Sequence, residues 1–167
     1  MQSYNLKLTD GKLSFQPNKG FKTQIIFSAI VTGVAFILPL VWPLNYEVRM
    51  LLRCLGIVSA AYGVYDFLFK LNLTYIFDQH NRQVYQRVPG LYTRRILSFE
   101  DIYILTETVN CELHYVMSNQ KNKFGRNYAI SDYFPDTQKG RRKQELYETT
   151  ILTTVSNFLS AALTPHI

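Results

Sequence analysis

The sequence of 167 residues has few of the side chains that stabilise small domains through covalent or metal bonds: two cysteines, three histidines and one tryptophan. Two cysteines cannot build the disulfide framework of a small secreted domain, and with these histidines they give no pattern for a closed four-ligand zinc site. No phosphate-binding, dinucleotide-binding, nucleophile-elbow or zinc-protease motif is present. We therefore expect no enzymatic activity, no catalytic residues, no cofactor and no metal.

Charge is also missing from one long stretch, because no charged residue lies between Thr23 and Tyr46. Residues 25–42 contain eleven Ile, Leu, Phe or Val residues, each of which favours membrane insertion by about 0.3 to 0.6 kcal/mol. A cleaved signal peptide is the alternative, but the apolar run is too long and no A-x-A-like site follows it. The pattern predicts a first transmembrane helix over about residues 24–42.

A second apolar segment, over about residues 50–71, is interrupted by three charges. Arg53 and Lys70 lie near its ends, where long side chains reach the headgroups, whereas Asp66 lies deeper. An ionisable residue in a membrane helix is a functional-site hypothesis by default. Lys70 follows Asp66 by one helical turn and is placed to pair with it, so we favour an intramembrane structural pair over a proton or ion site.

The connection between the two segments is short, so residues 23–71 are predicted to form an antiparallel transmembrane hairpin. Small residues at small-xxx-small spacing favour close contact between the two helices. These residues are Ala29 and Gly33 in the first segment and Gly56, Ala60 and Gly63 in the second.

Basic residues flank the outer ends of both segments, and residues 1–22 alone carry four lysines against one aspartate. The positive-inside rule then predicts a multi-pass protein of the bacterial inner membrane with both termini in the cytoplasm. Lys19 and Lys22 are candidates for contact with anionic membrane lipid. Residues 72–167 carry eleven basic against nine acidic side chains, and this near balance argues against a nucleic-acid partner.

Residues 1–22 contain their own β-hairpin signal, an Asp-Gly pair at positions 10 and 11 between two alternating apolar runs. Pairing across this turn would place Leu8 opposite Leu13 on one apolar face. Because an isolated hairpin is marginal in water, we expect this cytoplasmic hairpin to join the sheet of residues 72–167 and bury that face.

Residues 72–134 alternate between apolar and polar side chains in short runs separated by turn residues, which predicts an antiparallel series of strands. In the run over residues 111–118, Cys111 and His114 are three apart and would face opposite sides of the sheet. This spacing does not suit a metal-ligand pair. We expect Cys111 to pack as a small core residue and to form no disulfide with Cys54.

The periodicity becomes helical after Pro135, with one apolar stripe over about residues 139–163 and Asp136 as a plausible N-cap. A final amphipathic strand pair is the alternative for this region. Four cations in five residues open the predicted helix, and they are candidates for contact with anionic lipid or an acidic partner. They are Lys139, Arg141, Arg142 and Lys143.

Three segments together resemble the bacterial two-span membrane proteins that carry a cytoplasmic pleckstrin-homology-like domain. They are LTYIFDQHNRQVYQR after the second apolar segment, RRILSFEDIYIL, and the helix around ELYETTILTTVSNFL. The resemblance is one of order and pattern. It implies a membrane helical hairpin and an α+β domain, in which a strongly bent antiparallel sheet or barrel packs against a C-terminal amphipathic helix. It supplies no catalytic residues.

These features predict a non-enzymatic binding module of the inner membrane, which recognises a protein partner or lipid through residues 72–167. One specific form of this hypothesis is an immunity protein against a membrane-acting toxin. The alternative is a small accessory subunit of a membrane transport or enzyme complex that uses Asp66. A homo-oligomer is compatible with either function.

Overall fold

The computed structural model describes residues 4–18, 20–121 and 125–163. The chain divides into two compact units. One is a helical hairpin, Gly20–Asn72, and the other is a sheet domain that consists of the described residues before and after the hairpin. The fold is α+β, and its strands are arranged in antiparallel sheets.

The strands of the sheet domain form two sheets, and within the described ranges neither sheet closes into a barrel. The first sheet has the order β1 (Lys7–Thr9), β2 (Lys12–Phe15), β3 (Thr74–Asp78), β4 (Gln83–Val88) and β5 (Tyr92–Ser98). The second contains β6 (Tyr103–Val109), β7 (Glu112–Ser118), β8 (Asn127–Ala129) and β9 (Phe134–Pro135). A short 3₁₀ turn, Phe99–Asp101, connects the two sheets.

The β1–β2 hairpin turns at Asp10 and Gly11, both of which have positive φ angles, 48° and 71°. This conformation is the one that a two-residue Asp-Gly hairpin turn requires. Leu8 lies opposite Leu13, and this confirms the predicted register. Leu13 is fully buried, but Leu8 is 68% exposed because it lies on the edge strand. The expectation that both side chains of the pair are buried is therefore wrong for Leu8.

The N-terminal hairpin joins the first sheet through antiparallel pairing of β2 with β3, in which Phe15 lies opposite Tyr75. A buried carboxylate supports this edge, because Asp78 lies 3.1 Å from the Lys12 ammonium and accepts hydrogen bonds from the backbone N–H groups of His80 and Asn81. Burial alone would raise the pKa of Asp78, but these hydrogen bonds and Lys12 hold that pKa below its usual range.

The helical hairpin is built from α1 (Phe21–Val41) and α2 (Tyr46–Tyr65), and α2 continues without a break into a π-helical segment, Asp66–Leu71. The second helix therefore begins four residues before the predicted start at residue 50. Glu47 lies in its first turn, where a negative side chain interacts favourably with the helix dipole. By length and composition both helices could cross a membrane.

The two predicted glycines of α2, Gly56 and Gly63, lie in close contact with α1. A Cβ atom on Gly56 would lie 3.2 Å from the Ala35 Cβ, and one on Gly63 would lie 2.8 Å from the Ser28 hydroxyl. Gly33 is different, because a Cβ there would meet no atom within 4 Å. The close packing therefore depends on the two glycines of α2.

The C-terminal helix consists of α3 (Gln138–Tyr147), a π-helical segment (Glu148–Leu152) and α4 (Thr153–Leu163). Because residues 138–163 are helical throughout, the alternative prediction of a final amphipathic strand pair is wrong. The N-cap is Thr137, whose hydroxyl accepts a hydrogen bond of 3.1 Å from the backbone of Gly140. Asp136 is therefore not the cap, because its carboxylate instead binds Arg141 at 2.8 Å.

The core lies between the two sheets and the C-terminal helix, and Tyr147 is central to it. Its ring centroid lies 5.2 Å from that of Tyr4, 5.7 Å from that of Tyr115 and 5.7 Å from that of Phe134. Its hydroxyl donates a hydrogen bond of 2.5 Å to the backbone oxygen of Ile130, so its one polar group is satisfied. Burial raises the pKa of Tyr147 well above its ordinary value.

Cys111 does not pack in the core and is exposed. It forms the β6–β7 turn with Asn110, and both residues have positive φ angles, 51° and 64°. Strand β7 therefore begins at Glu112 rather than at Cys111. Cys54 is also exposed, on α2.

Gly140 allows α3 to lie directly against the end of β9. A Cβ at this position would collide with the carbonyl oxygen of Pro135. We expect Gly140→Ala to destabilise the sheet domain by about 1–3 kcal/mol through this overlap, although the same exchange at an unhindered helix position stabilises by about 1 kcal/mol. Chemical unfolding of the full-length chain measures the effect.

Gln138→Ala is the matched control, because Gln138 is exposed in the same first turn of α3. We expect this control to change the free energy of unfolding by no more than about 0.5 kcal/mol. A gain in stability for Gly140→Ala would contradict the close contact with Pro135.

Candidate functional site

The predicted polar pair is present in the helical hairpin, where the Lys70 ammonium lies 2.7 Å from the Asp66 carboxylate. Asp66 is only 4% exposed, and the side chain of Lys70 is 32% exposed. Both residues belong to the π-helical segment that ends α2. Such segments in otherwise regular helices are frequently found at functional sites.

Three aromatic rings also lie close to the Lys70 ammonium. The ammonium lies 4.7 Å from the ring centroid of Phe21 and 5.8 Å from those of Tyr62 and Tyr65. Each of these distances is within the range of a cation–π contact. Because Phe21 is the first residue of α1, this cluster connects the two ends of the helical hairpin.

An open groove of about 700 Å³ runs between α1 and α2 beside this cluster. Its polar lining comes from Thr23, Gln24, Ser28, Ser59, Tyr62, Asp66 and Lys70, and its remaining lining is apolar. The groove therefore combines an apolar surface with one neutralised ion pair.

Two serines form a second polar contact within the helical hairpin. The Ser28 hydroxyl donates a hydrogen bond of 2.5 Å to the backbone oxygen of Ser59, and the Ser59 hydroxyl donates one of 3.1 Å to that of Ser28. Serine hydroxyls often bridge packed helices in this way. The Ser28–Ser59 contact was not predicted from the sequence. Its only signal there is the presence of serine at a helix interface built from small residues.

The chemistry of the Asp66 site is that of a structural ion pair. The carboxylate has a cation at hydrogen-bonding distance, and a single paired carboxylate does not make a proton relay. Across residues 4–18, 20–121 and 125–163, no three His, Cys, Asp or Glu side chains are grouped so that they could hold a metal ion. The geometry supports a positioning role for Asp66 and Lys70 in the helical hairpin.

The four predicted cations of the C-terminal helix lie together on α3, in the sheet domain, and all four are exposed. Arg141 lies 2.8 Å from Asp136, but both side chains are at least 70% exposed, so water screens this ion pair and it contributes little to stability. The surface formed by Lys139, Arg141, Arg142 and Lys143 is called the α3 basic surface below.

The other two predicted cations belong to the N-terminal flank of α1. Lys22 is exposed in the first turn of that helix, so it belongs to the helical hairpin and not to the sheet domain. Lys19 lies outside the described residues.

His114 and Cys111 do not form a metal site. His114 is buried against the ring of Tyr133, with 4.6 Å between ring centroids, and its Nε2 lies 3.6 Å from the Glu107 carboxylate. Cys111 is exposed at the turn before β7. The two residues therefore lie in different environments, with His114 buried and Cys111 exposed.

A polar network between β7 and the C-terminal helix was not predicted. The hydroxyl of Tyr115 donates a hydrogen bond to Glu148, and Gln144 donates hydrogen bonds of 3.1 Å to Tyr115 and 2.9 Å to Glu148. Burial, with the neighbouring Glu148, raises the pKa of Tyr115 to about 12. The hydroxyl therefore stays protonated at neutral pH and fixes α3 against the second sheet.

Comparison with known proteins identifies no family, because no protein-family model and no curated protein matches the chain.

The Asp66–Lys70 pair gives a prediction about coupling. Asp66→Asn leaves the Lys70 ammonium without its carboxylate, and Lys70→Met leaves the buried carboxylate without its cation. Each single change should destabilise the helical hairpin by about 1–3 kcal/mol, while the double change should cost less than the sum of the two. Thermal loss of the helical circular dichroism signal in the full-length chain measures these effects.

Arg53→Gln is the control for removal of a charge, because Arg53 is exposed elsewhere on α2. Strictly additive effects of Asp66→Asn and Lys70→Met would show that the two side chains do not stabilise each other.

Proposed function

We propose that this protein is a non-enzymatic binding module of the bacterial inner membrane. In this proposal the helical hairpin spans the membrane, and the sheet domain is a cytoplasmic, pleckstrin-homology-like domain that recognises a protein partner. The observation that carries the proposal is the insertion of a long apolar helical hairpin between β2 and β3, two paired strands of one sheet.

The exposed surface of the helical hairpin supports the membrane part of the proposal. Most of the large apolar side chains that are exposed among the described residues lie on this unit, including Phe27, Leu40 and Leu51. A soluble protein rarely exposes so large an apolar surface. Trp42 at the end of α1 is also exposed, and tryptophan is typical of the membrane–water interface.

The polar groups of the helical hairpin are consistent with a lipid environment. Ser28 and Ser59 hydrogen bond to each other, and Asp66 pairs with Lys70. Internal pairing of this kind lowers the cost of placing hydroxyls and charges in hydrocarbon.

The architecture of the sheet domain supports the pleckstrin-homology-like part of the proposal. Two antiparallel sheets follow one another in the chain, and Tyr147, Ile151 and Val155 of the C-terminal helix are buried in one core cluster with residues of both sheets. No catalytic constellation appears among the described residues, and the α3 basic surface is exposed. A binding role accounts for these features, and an immunity protein against a membrane-acting toxin is its most specific form.

The second candidate is an accessory subunit of a transport or enzyme complex that uses Asp66. Its support is the position of Asp66, which is buried in the wall of the groove between α1 and α2. The ion pair with Lys70 favours the binding module. A carboxylate that a neighbouring cation neutralises is explained more simply as a structural element than as a proton or ion site.

The proposed orientation predicts the activity of fusion proteins. Alkaline phosphatase fused after the C-terminus should remain inactive, because it folds only in the periplasm, whereas a green fluorescent protein fused there should fluoresce. As the control, the phosphatase inserted after Pro43, in the α1–α2 connection, should be active. An active C-terminal phosphatase fusion would refute the cytoplasmic placement of the sheet domain.

The immunity form predicts a genetic result. Deleting the gene should make cells sensitive to a toxin encoded beside it, and the wild-type gene should restore survival. Asp66→Asn combined with Lys70→Met should also restore survival, whereas Arg142→Glu combined with Lys143→Glu should not, if the α3 basic surface contacts the toxin. Arg126→Glu, at another exposed arginine of the sheet domain, is the charge-reversal control.

Survival after deletion of the gene would overturn the immunity form. If the Asp66→Asn, Lys70→Met variant is present in the membrane at the wild-type level and still does not restore survival, that result favours the accessory-subunit function instead. Detergent co-purification with the toxin, compared between the wild type and the α3 variant, connects the phenotype to binding.

A further inference from the structure

We propose that the β4–β5 turn, residues 89–91, together with Tyr92 at the start of β5, is a second membrane contact of this protein and inserts Leu91 and Tyr92 among anionic lipid headgroups. This inference rests on the proposed function, since it requires the helical hairpin to lie in the membrane. It adds a lipid-binding element in the sheet domain to the transmembrane anchor.

The turn and the first residue of β5 expose two adjacent apolar side chains. Leu91 is 51% exposed and Tyr92 is 37% exposed. The turn is tightly built, since the Leu91 backbone N–H donates a hydrogen bond of 3.1 Å to the Val88 oxygen and Gly90 has a φ angle of 78°. Leucine and tyrosine on a firm turn are suited to the membrane interface, where a tyrosine ring can stay partly hydrated.

Strand register places this turn at the end of the sheet where the chain arrives from the helical hairpin. Thr74, the first residue of β3, lies opposite Arg87, and β4 ends at the next residue, Val88. Thr74 is three residues after Leu71, the last helical residue, and three residues span at most about 10 Å. At the same end, Phe15 of β2 lies opposite Tyr75. This end of the sheet domain is called the tether end below.

The charge around the turn favours anionic lipid. No acidic residue occurs in residues 79–99, which contain Arg82 at the opposite end of the sheet and, nearer the turn, Arg87, Arg94 and Arg95. These three arginines are exposed. The Arg94 guanidinium lies 5.6 Å from the Tyr92 ring centroid and donates a hydrogen bond of 2.8 Å to Gln86, so it is held beside the apolar pair. Basic side chains near a membrane surface each strengthen binding to anionic lipid.

The direction of the C-terminal helix brings the α3 basic surface toward the same end. At the opposite end of the first sheet, the guanidinium of Arg82 donates a hydrogen bond of 3.2 Å to the oxygen of Ala162, near the end of α4. Tyr147, at the end of α3, contacts Tyr4, whose oxygen accepts a hydrogen bond from Gln16 at the tether end. The C-terminal helix therefore runs from the opposite end, at Ala162, toward the tether end, at Tyr147. The rest of α3 extends beyond Tyr147 in the same direction.

Tryptophan fluorescence in vesicles tests the inference. Trp42 is the only tryptophan, so Leu91→Trp in a Trp42→Phe background places the single probe in the turn. The full-length chain is reconstituted into phosphatidylcholine vesicles with or without phosphatidylglycerol, in which the phosphatidylcholine is brominated near the headgroup end of its chains. We expect blue-shifted emission that the bromines quench, with stronger quenching when phosphatidylglycerol is present.

Leu8→Trp in the same background is the matched control. Leu8 is also an exposed leucine of the first sheet, and it precedes the Asp10-Gly11 turn, where Gly11 accepts a hydrogen bond from Gln79 at the end opposite the tether end. This probe should not be quenched. Equal quenching of the two probes would overturn the assignment to the β4–β5 turn, and equal quenching with and without phosphatidylglycerol would overturn the preference for anionic lipid.

Native Trp42 separates the two proposals. If bromines quench Trp42 but not the probe at position 91, the transmembrane anchor stands and the second contact is wrong. If neither is quenched, the membrane part of the proposed function fails as well.

Discussion

The sheet domain depends on the pairing of β2 with β3, because this pairing joins two parts of the chain that the whole helical hairpin separates. Closing so long a loop would cost several times RT if the hairpin were a flexible chain. The contact of Lys70 with the Phe21 ring holds the two ends of the hairpin together. Assembly of the helices therefore shortens the effective loop, and the pairing of Phe15 with Tyr75 becomes easier to form.

The need to hold β2 beside β3 also explains where paired polar side chains lie. In the helical hairpin, Asp66 pairs with Lys70, and Ser28 hydrogen bonds with Ser59. These contacts satisfy polar groups and also fix the helix ends and the interface. In the sheet domain, Asp78 stabilises the β2–β3 edge because it binds Lys12 and the backbone of the following turn. Its lowered pKa means that this contribution is complete above the ordinary aspartate pKa of about 4 and is lost as the pH falls through the folded-state value.

Local patterns in the sequence predict the elements well, and long-range choices less well. The uncharged stretch indicates α1, and the Asp-Gly pair sets the register of β1 with β2. The prediction for Cys111 is wrong because Asn110 and Cys111 both adopt positive φ angles, so β7 begins one residue later than alternation alone suggests. The alternation also does not determine that the strands divide into two sheets, since that depends on how they pack on a common core. Of the candidate site, spacing alone was enough to predict the Asp66–Lys70 pair, whereas the contact of Lys70 with Phe21 required the fold.

The C-terminal helix shows why the irregular parts of the structure could not be predicted. Tyr147, Ile151 and Val155 are buried at a constant spacing of four residues, which exceeds the α-helical period of 3.6, so in a regular helix the stripe would rotate by roughly 40° at each step. The π-helical segment Glu148–Leu152 lies within this stripe. A π-helical turn contains more residues than an α-helical turn, and it therefore keeps the three side chains on one face. Glu148, the first residue of this segment, binds Tyr115 and Gln144. The four-residue spacing was visible in the sequence, but its consequence follows only from the requirement that one helix cover both sheets.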